Sequence, residues 1–126
     1  MFELLNSLLA GDVKSGQQTV NSLLTGGQSS VGILAMLTRQ VRQLAHMKCA
    51  LDAGDTVAKV QEALKLHPYA AKQTAKQCAR LSDAWLTGLY SRCVESDYAV
   101  KSGQLRDREA LDAMILQIGL AANKKQ

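Results

Sequence analysis

The 126-residue chain is poor in the residues that build β-sheets and in those that interrupt helices. It contains one proline, one phenylalanine and one tryptophan, and aromatic residues make up only 4% of the sequence. Strands draw on aromatic and β-branched side chains, whereas the leucine, alanine, glutamine and lysine that recur here favour helices. The composition therefore predicts an all-α protein.

Long apolar runs and a disulfide pattern are also lacking. No stretch approaches the roughly 18 apolar residues that a membrane span needs, and the N-terminus has neither the basic start nor the cleavage site of a signal peptide. Three cysteines, an odd number, lie in helical, apolar patterns: Cys49, Cys78 and Cys93. We interpret them as buried free thiols in a reducing compartment, which indicates a cytoplasmic protein with no membrane partner.

The residues that are present have the balance of a folded domain. Hydrophobic residues account for 47% and charged residues for 21%, and the length suits one domain, residues 1–126. The net charge of +4 is compatible with a nucleic-acid partner and equally with none. Because "MFELLNSLL" is a helical pattern from the first residue, we expect a fragment of a longer protein.

Turn and capping signals divide the chain into about six to seven helices joined by short connections, which favours a compact bundle. The first joins are expected at Gly11 with Asp12 as the next N-cap, and at "TGGQSS", where Ser29 or Ser30 caps the third helix. Later joins are expected at Gly54 with Asp55 as cap, Pro68, Ser82 with Asp83, and residues 101–107.

Apolar residues at intervals of three and four predict the buried faces of these helices. The clearest set lies on the third helix: Leu34, Leu37, Val41, Leu44, Met47 and Leu51. The last helix has a second set: Leu111, Met114, Ile115 and Ile118. The fifth helix should bury small residues that allow close helix packing: Ala71, Ala75, Cys78 and Ala79.

Two glycines, Gly11 and Gly16, have the spacing of a phosphate-binding loop. Such a loop needs a preceding strand, a lysine for the phosphates and a serine or threonine for magnesium. Here a helix precedes Gly11, and Gln17 and Gln18 stand where the lysine and serine belong. We interpret the stretch as a helix end, a capping Asp12 and a solvent-facing Gly16.

Catalytic and metal-binding arrangements are not evident. His46 and Cys49 lie one turn apart and His67 lies elsewhere, but no second ligand pair completes a zinc site. A histidine at the solvent edge and a packed cysteine are the preferred interpretation. Since no nucleophile is paired with a base and an orienting acid, we predict a non-enzymatic domain with no catalytic residue, metal or cofactor.

Basic residues form two lines at helical spacing, which could follow phosphates or simply keep a helix surface hydrated. The first lies on the third helix and the second on the fifth: Arg39, Arg42 and His46, and Lys72, Lys76 and Arg80. Asp97 falls near the buried face of the sixth helix, and Lys101, one turn later, is its expected ion-pair partner. The surplus of apolar positions leaves room for an assembly interface.

The ordered series of these features resembles the C-terminal domain of the bacterial DNA polymerase III delta subunit over nearly the whole chain. The matching segments are "FELLNSLLAGD", "LAMLTRQVRQLAHMK", "LHPYAAKQTAKQ", "SDYAVKSG" and "REALDAMILQI". No single one of these segments is diagnostic, but their order and spacing together are specific to the family. The small ATPase-like subunits of clamp loaders have a similar helical domain, so the pattern also fits a related subunit.

The resemblance implies a component of the clamp loader, the ATPase machine that opens the sliding clamp and places it on primed DNA. In that family the C-terminal helical domain packs with those of the ATPase and delta-prime type subunits into a collar. The clamp itself is bound by N-terminal domains that this chain does not contain. The resemblance also implies that the parent family is part of the DNA polymerase III holoenzyme, and no ATP chemistry is expected of this domain.

We therefore predict a helical collar domain that fixes the position of delta among the other subunits. The candidate interface residues are Arg39, Arg42, His46, Lys72, Lys76 and Arg80. Candidate residues for contact with primed DNA are Lys101, Gln104, Arg106 and Arg108. The alternative is an independent helical domain that binds nucleic acid.

Overall fold

The structure, a computed structural model, describes the backbone of residues 2–125 and the side chains of residues 3–122. Seven α-helices account for most of this part of the chain, as the composition and the joins predict. Their bounds are Phe2–Leu9 (α1), Val13–Thr25 (α2), Ser30–Asp52 (α3), Val57–Leu64 (α4), Pro68–Cys78 (α5), Asp83–Lys101 (α6) and Asp107–Lys125 (α7).

Local side chains set where the helices begin. Gly11, with a φ of 81°, ends the first helical segment in the left-handed conformation, and the Asp12 carboxylate then accepts the backbone N–H of Ser15 at 3.0 Å. In the same way the hydroxyl of Ser29 accepts the backbone N–H of Gly32 at 3.0 Å. Both predicted caps are confirmed, because a cap depends only on residues close in sequence.

The cap of α4 differs from the prediction by one residue. Thr56, in an extended conformation, is the N-cap, and its hydroxyl accepts the backbone N–H of Lys59 at 3.2 Å. The expected cap, Asp55, instead holds the Lys59 ammonium with a carboxylate oxygen at 3.3 Å. The prediction of Asp55 was wrong because a threonine directly behind it offers the same cap one position nearer to the helix.

α3 lies at the centre of the bundle and packs against α5, α6 and α7. Its predicted apolar stripe is buried, apart from Leu51, which is only partly covered. The predicted residues of α7 are buried as well and complete the same core. No helix among the described residues is long and apolar enough to cross a membrane.

Gly16 does not face solvent, which corrects the prediction for this residue. It is buried in α2, and a Cβ placed on it would lie 2.6 Å from Cδ2 of Leu8, a fully buried side chain of α1. A second glycine of this kind, Gly119 of α7, would bring a Cβ into collision with Cγ2 of Val13. These glycines allow α2 to approach its two neighbours closely.

The small-residue face of α5 is shorter than predicted. Ala71 and Cys78 are buried and Ala75 is partly buried, but Ala79 is exposed. The helix ends at Cys78, and Ala79 is its C-cap residue. The buried face of α5 therefore ends at Cys78, one residue earlier than the sequence pattern suggests.

Candidate interaction surfaces

The basic line of α3 lies on the side of the helix away from its buried stripe. Arg39, Arg42 and His46 are all exposed. No carboxylate among the described side chains forms an ion pair with any of them. The Arg39 and Arg42 charges are therefore available to a partner without breaking an ion pair to a described side chain.

The second basic line, which we call the α5 ridge, consists of Lys72, Lys76 and Arg80. All three are exposed, and within the described residues none has an acidic partner. Lys72 and Lys76 stand on the helix, whereas Arg80 lies in the turn after Cys78. The ridge thus runs off the end of α5 toward the start of α6.

The connection between α6 and α7 carries the candidate DNA-proximal residues, and two of their charges are already paired. The Lys101 ammonium lies 2.9 Å from a carboxylate oxygen of Asp97, as expected, although Asp97 is 51% exposed and not near the core. Nε of Arg108 lies 3.1 Å from the carboxylate of Asp112. Exposed pairs of this kind contribute little to stability, and a stronger anion can displace them.

Two cations of the α5 ridge, Lys76 and Arg80, line a groove that the sequence did not predict. The groove has a volume of about 760 Å³ and lies between α1, the end of α5, the start of α6 and α7. Its walls are mainly apolar, with contributions from Leu9, Leu81 and Trp85. No periodicity within one helix could have revealed it, since its lining comes from four helices.

A second groove of about 490 Å³ lies on the other side of Trp85. Arg92 and Gly88 of α6 and Ala121 of α7 line it. Trp85 is half-buried and borders both spaces, and its backbone N–H donates to the Ser82 hydroxyl at 3.2 Å. We call the two spaces together the Trp85 groove.

The cysteines divide into two kinds. Cys78 and Cys93 are buried free thiols, as predicted, but Cys49 is exposed because it stands on the solvent side of α3. Burial raises the pKa of the Cys93 thiol to about 11, and burial also raises the pKa of Cys78. These thiols are protonated at neutral pH and are poor nucleophiles. The side chains that the structure describes contain no cluster of three or more metal-ligating groups.

Comparison with known proteins decides the family. The model of the family described as DNA polymerase III delta subunit, C-terminal domain, matches residues 1–118. The chain belongs to this family. The resemblance drawn from the ordered sequence segments is thereby confirmed.

Two relatives show how similar the chain is to delta subunits in sequence and in fold. The chain is 25% identical over 125 residues to the DNA polymerase III subunit delta of Bacillus subtilis, a match that covers 99% of the chain and 36% of that protein. It is similar in fold to the solved Bacillus subtilis DNA clamp loader delta protein, with a TM-score of 0.86 and 24% identity over 94% of the chain and 35% of that structure. The chain thus spans about a third of each relative.

Proposed function

We propose that this chain is the collar domain of a clamp-loader delta subunit, and that its role is assembly without catalysis. The observation that carries the proposal is the family match over residues 1–118. In this role the bundle is a rigid body that holds delta in place beside the ATPase subunits and a delta-prime type subunit. Contact with the sliding clamp belongs to domains outside this chain, and the cytoplasm is the site of action.

A collar of non-identical subunits requires a different contact surface for each neighbour. Two surfaces of this chain meet that requirement, since the α3 line and the α5 ridge are on different helices and both carry cations that form no ion pair with a described side chain. Arginine is suited to such contacts because its planar guanidinium binds carboxylates through two parallel hydrogen bonds. We assign Arg39, Arg42 and His46 to one neighbour and the α5 ridge to the other.

Co-purification with the ATPase subunits of the same organism's clamp loader tests the proposal. A stable complex is expected with the native chain. Arg39→Glu/Arg42→Glu and Lys72→Glu/Lys76→Glu should each weaken it, because like charges then face the partner's acidic groups. The matched control is Lys14→Glu/Lys65→Glu, which makes the same charge change at exposed residues outside both surfaces. No association by the native chain would rule the proposal out.

Primed DNA is a further candidate partner, and residues 101–108 are its candidate surface. Gln104 and Arg106 are exposed there, and Lys101 and Arg108 are held only by exposed ion pairs that DNA phosphates can displace. The alternative function, an independent nucleic-acid-binding domain, is favoured by the unpaired cations of the α5 ridge. Tight binding of primed DNA by the isolated chain, falling steeply with salt, would support that alternative.

A further inference from the structure

The cations beside the Trp85 groove form no ion pair with the described side chains, whereas four other cations of the chain do. Lys48, Lys59, Lys101 and Arg108 each pair with an acid four residues away. The three cations that line the groove have no such partner among the described side chains, and no carboxylate is among the lining residues: Lys76, Arg80 and Arg92. An occupant of this groove is therefore expected to be anionic.

The remaining lining indicates that the occupant is also apolar. The floor of the larger space is formed by Leu9, Leu81 and the Trp85 side chain, which packs partly against the core. Beside it the amide of Gln77 donates to the side-chain oxygen of Asn6 at 2.7 Å, which links α5 to α1 and fixes that edge of the groove. A concave, mainly apolar space between helices is the usual receptor for an amphipathic helix, whose apolar residues enter while its polar flanks meet the rim.

We propose that the Trp85 groove binds an acidic amphipathic segment of a partner protein, with apolar anchors against Trp85 and carboxylates at Lys76, Arg80 and Arg92. The proposal rests on the assembly role only in treating the end of the α5 ridge as a contact surface. A protein segment fits better than nucleic acid, because bases stack on exposed aromatic faces, whereas Trp85 is half-buried and packs partly against the core.

Trp85 makes the test direct, since it is the only tryptophan of the chain and its fluorescence reports on the groove alone. A library of random 16-residue peptides is selected on the 126-residue chain, and the enriched peptides are then titrated against it. The expected peptides carry Asp or Glu beside Leu, Ile or Phe at helical spacing, and they shift the Trp85 emission. Lys76→Glu/Arg80→Glu should raise their Kd at least about tenfold, whereas Lys14→Glu/Lys65→Glu should change it less than about twofold.

All four substitutions are at exposed positions, so circular dichroism should show an unchanged helical content in both variants. The proposal is overturned if no peptide is enriched, if the enriched peptides lack acidic residues, or if the two double variants weaken binding equally. It is also overturned if oligo(dT) shifts Trp85 emission with the same dependence on Lys76 and Arg80. Because the chain is assayed alone, this result is independent of co-purification with the ATPase subunits, and either can fail without the other.

Discussion

Replacing Gly16 by alanine tests the close approach of α1 to α2. The added Cβ would stand 2.6 Å from Cδ2 and 3.3 Å from Cγ of Leu8, and 3.7 Å from Cδ1 of Leu4. Leu8 is fully buried, so its displaced methyl group has no open space to enter. Either the leucine adopts a less favourable rotamer or α1 moves away from α2.

The size of the effect follows from two opposed contributions. Alanine stabilises a helix interior over glycine by about 1 kcal/mol, and overpacking a filled core costs about 1–3 kcal/mol. We expect Gly16→Ala to lower the free energy of unfolding by about 0–2 kcal/mol. Gly88→Ala is the matched control, because Gly88 is also inside a helix but has nothing within 4 Å of its added Cβ, so this variant should gain about 0.5–1 kcal/mol.

Urea denaturation of the two variants measures the overpacking cost directly, since the helix propensity contribution is common to both and cancels. The expected difference is about 1–3 kcal/mol, or roughly 4–12 °C in Tm for a domain of this size. Equal stabilisation of both variants would refute the close packing of α1 on α2. Gly119→Ala extends the series and should cost more, because its contact is Val13, whose branched side chain has few alternative rotamers.

Three further outcomes are expected. Ser29→Ala should lower the free energy of unfolding by about 1 kcal/mol in urea titrations, because the Gly32 N–H loses its cap, and an unchanged midpoint would contradict that role. In the native chain a thiol reagent should modify Cys49 rapidly and the other two cysteines only after unfolding, which mass spectrometry can count; three fast thiols would contradict the packing. Relative to Cys93→Ala, the native chain should lose about 3 kcal/mol of stability between pH 9 and 11, because the unfolded thiol ionises near 9.0 and the buried one only near 11; parallel pH profiles would exclude this.

Much of the fold could be predicted because it is encoded over short distances. The caps at Asp12, Ser29 and Ser82 need only a side chain and a backbone N–H two or three residues later. The buried stripe on α3 could be predicted from the helical spacing of its apolar residues alone. The line beginning at Arg39 lies outside that stripe on the same helix, so its exposure could be predicted too. These features were right because no contact between distant segments alters them.

The errors at Asp55, Ala79 and Cys49 are local, whereas Gly16 and the Trp85 groove depend on contacts between distant segments. Gly16 was taken as solvent-facing because nothing near it in sequence shows that Leu8 occupies the space of its missing side chain. Cys49 was assigned to the core because it lies in a helical, apolar pattern, yet its position on α3 turns it outward. The Trp85 groove could not be predicted at all, since residues from Asn6 to Ala122 meet there only after folding.

All ten candidate residues are exposed, so exposure does not distinguish the candidate surfaces. The ion pairs do, because they show which surfaces have cations that an acid of the same chain neutralises. The acids of α6 and α7 neutralise Lys101 and Arg108, so the α6–α7 connection presents a reduced positive charge. The cations of the α3 line and the α5 ridge form no ion pair with the described side chains, and the ridge leads into a concave, mainly apolar space. Unpaired positive charge and a concave surface coincide at Lys76 and Arg80. We therefore expect partner binding to depend more strongly on this pair of side chains than on any other pair of candidate residues.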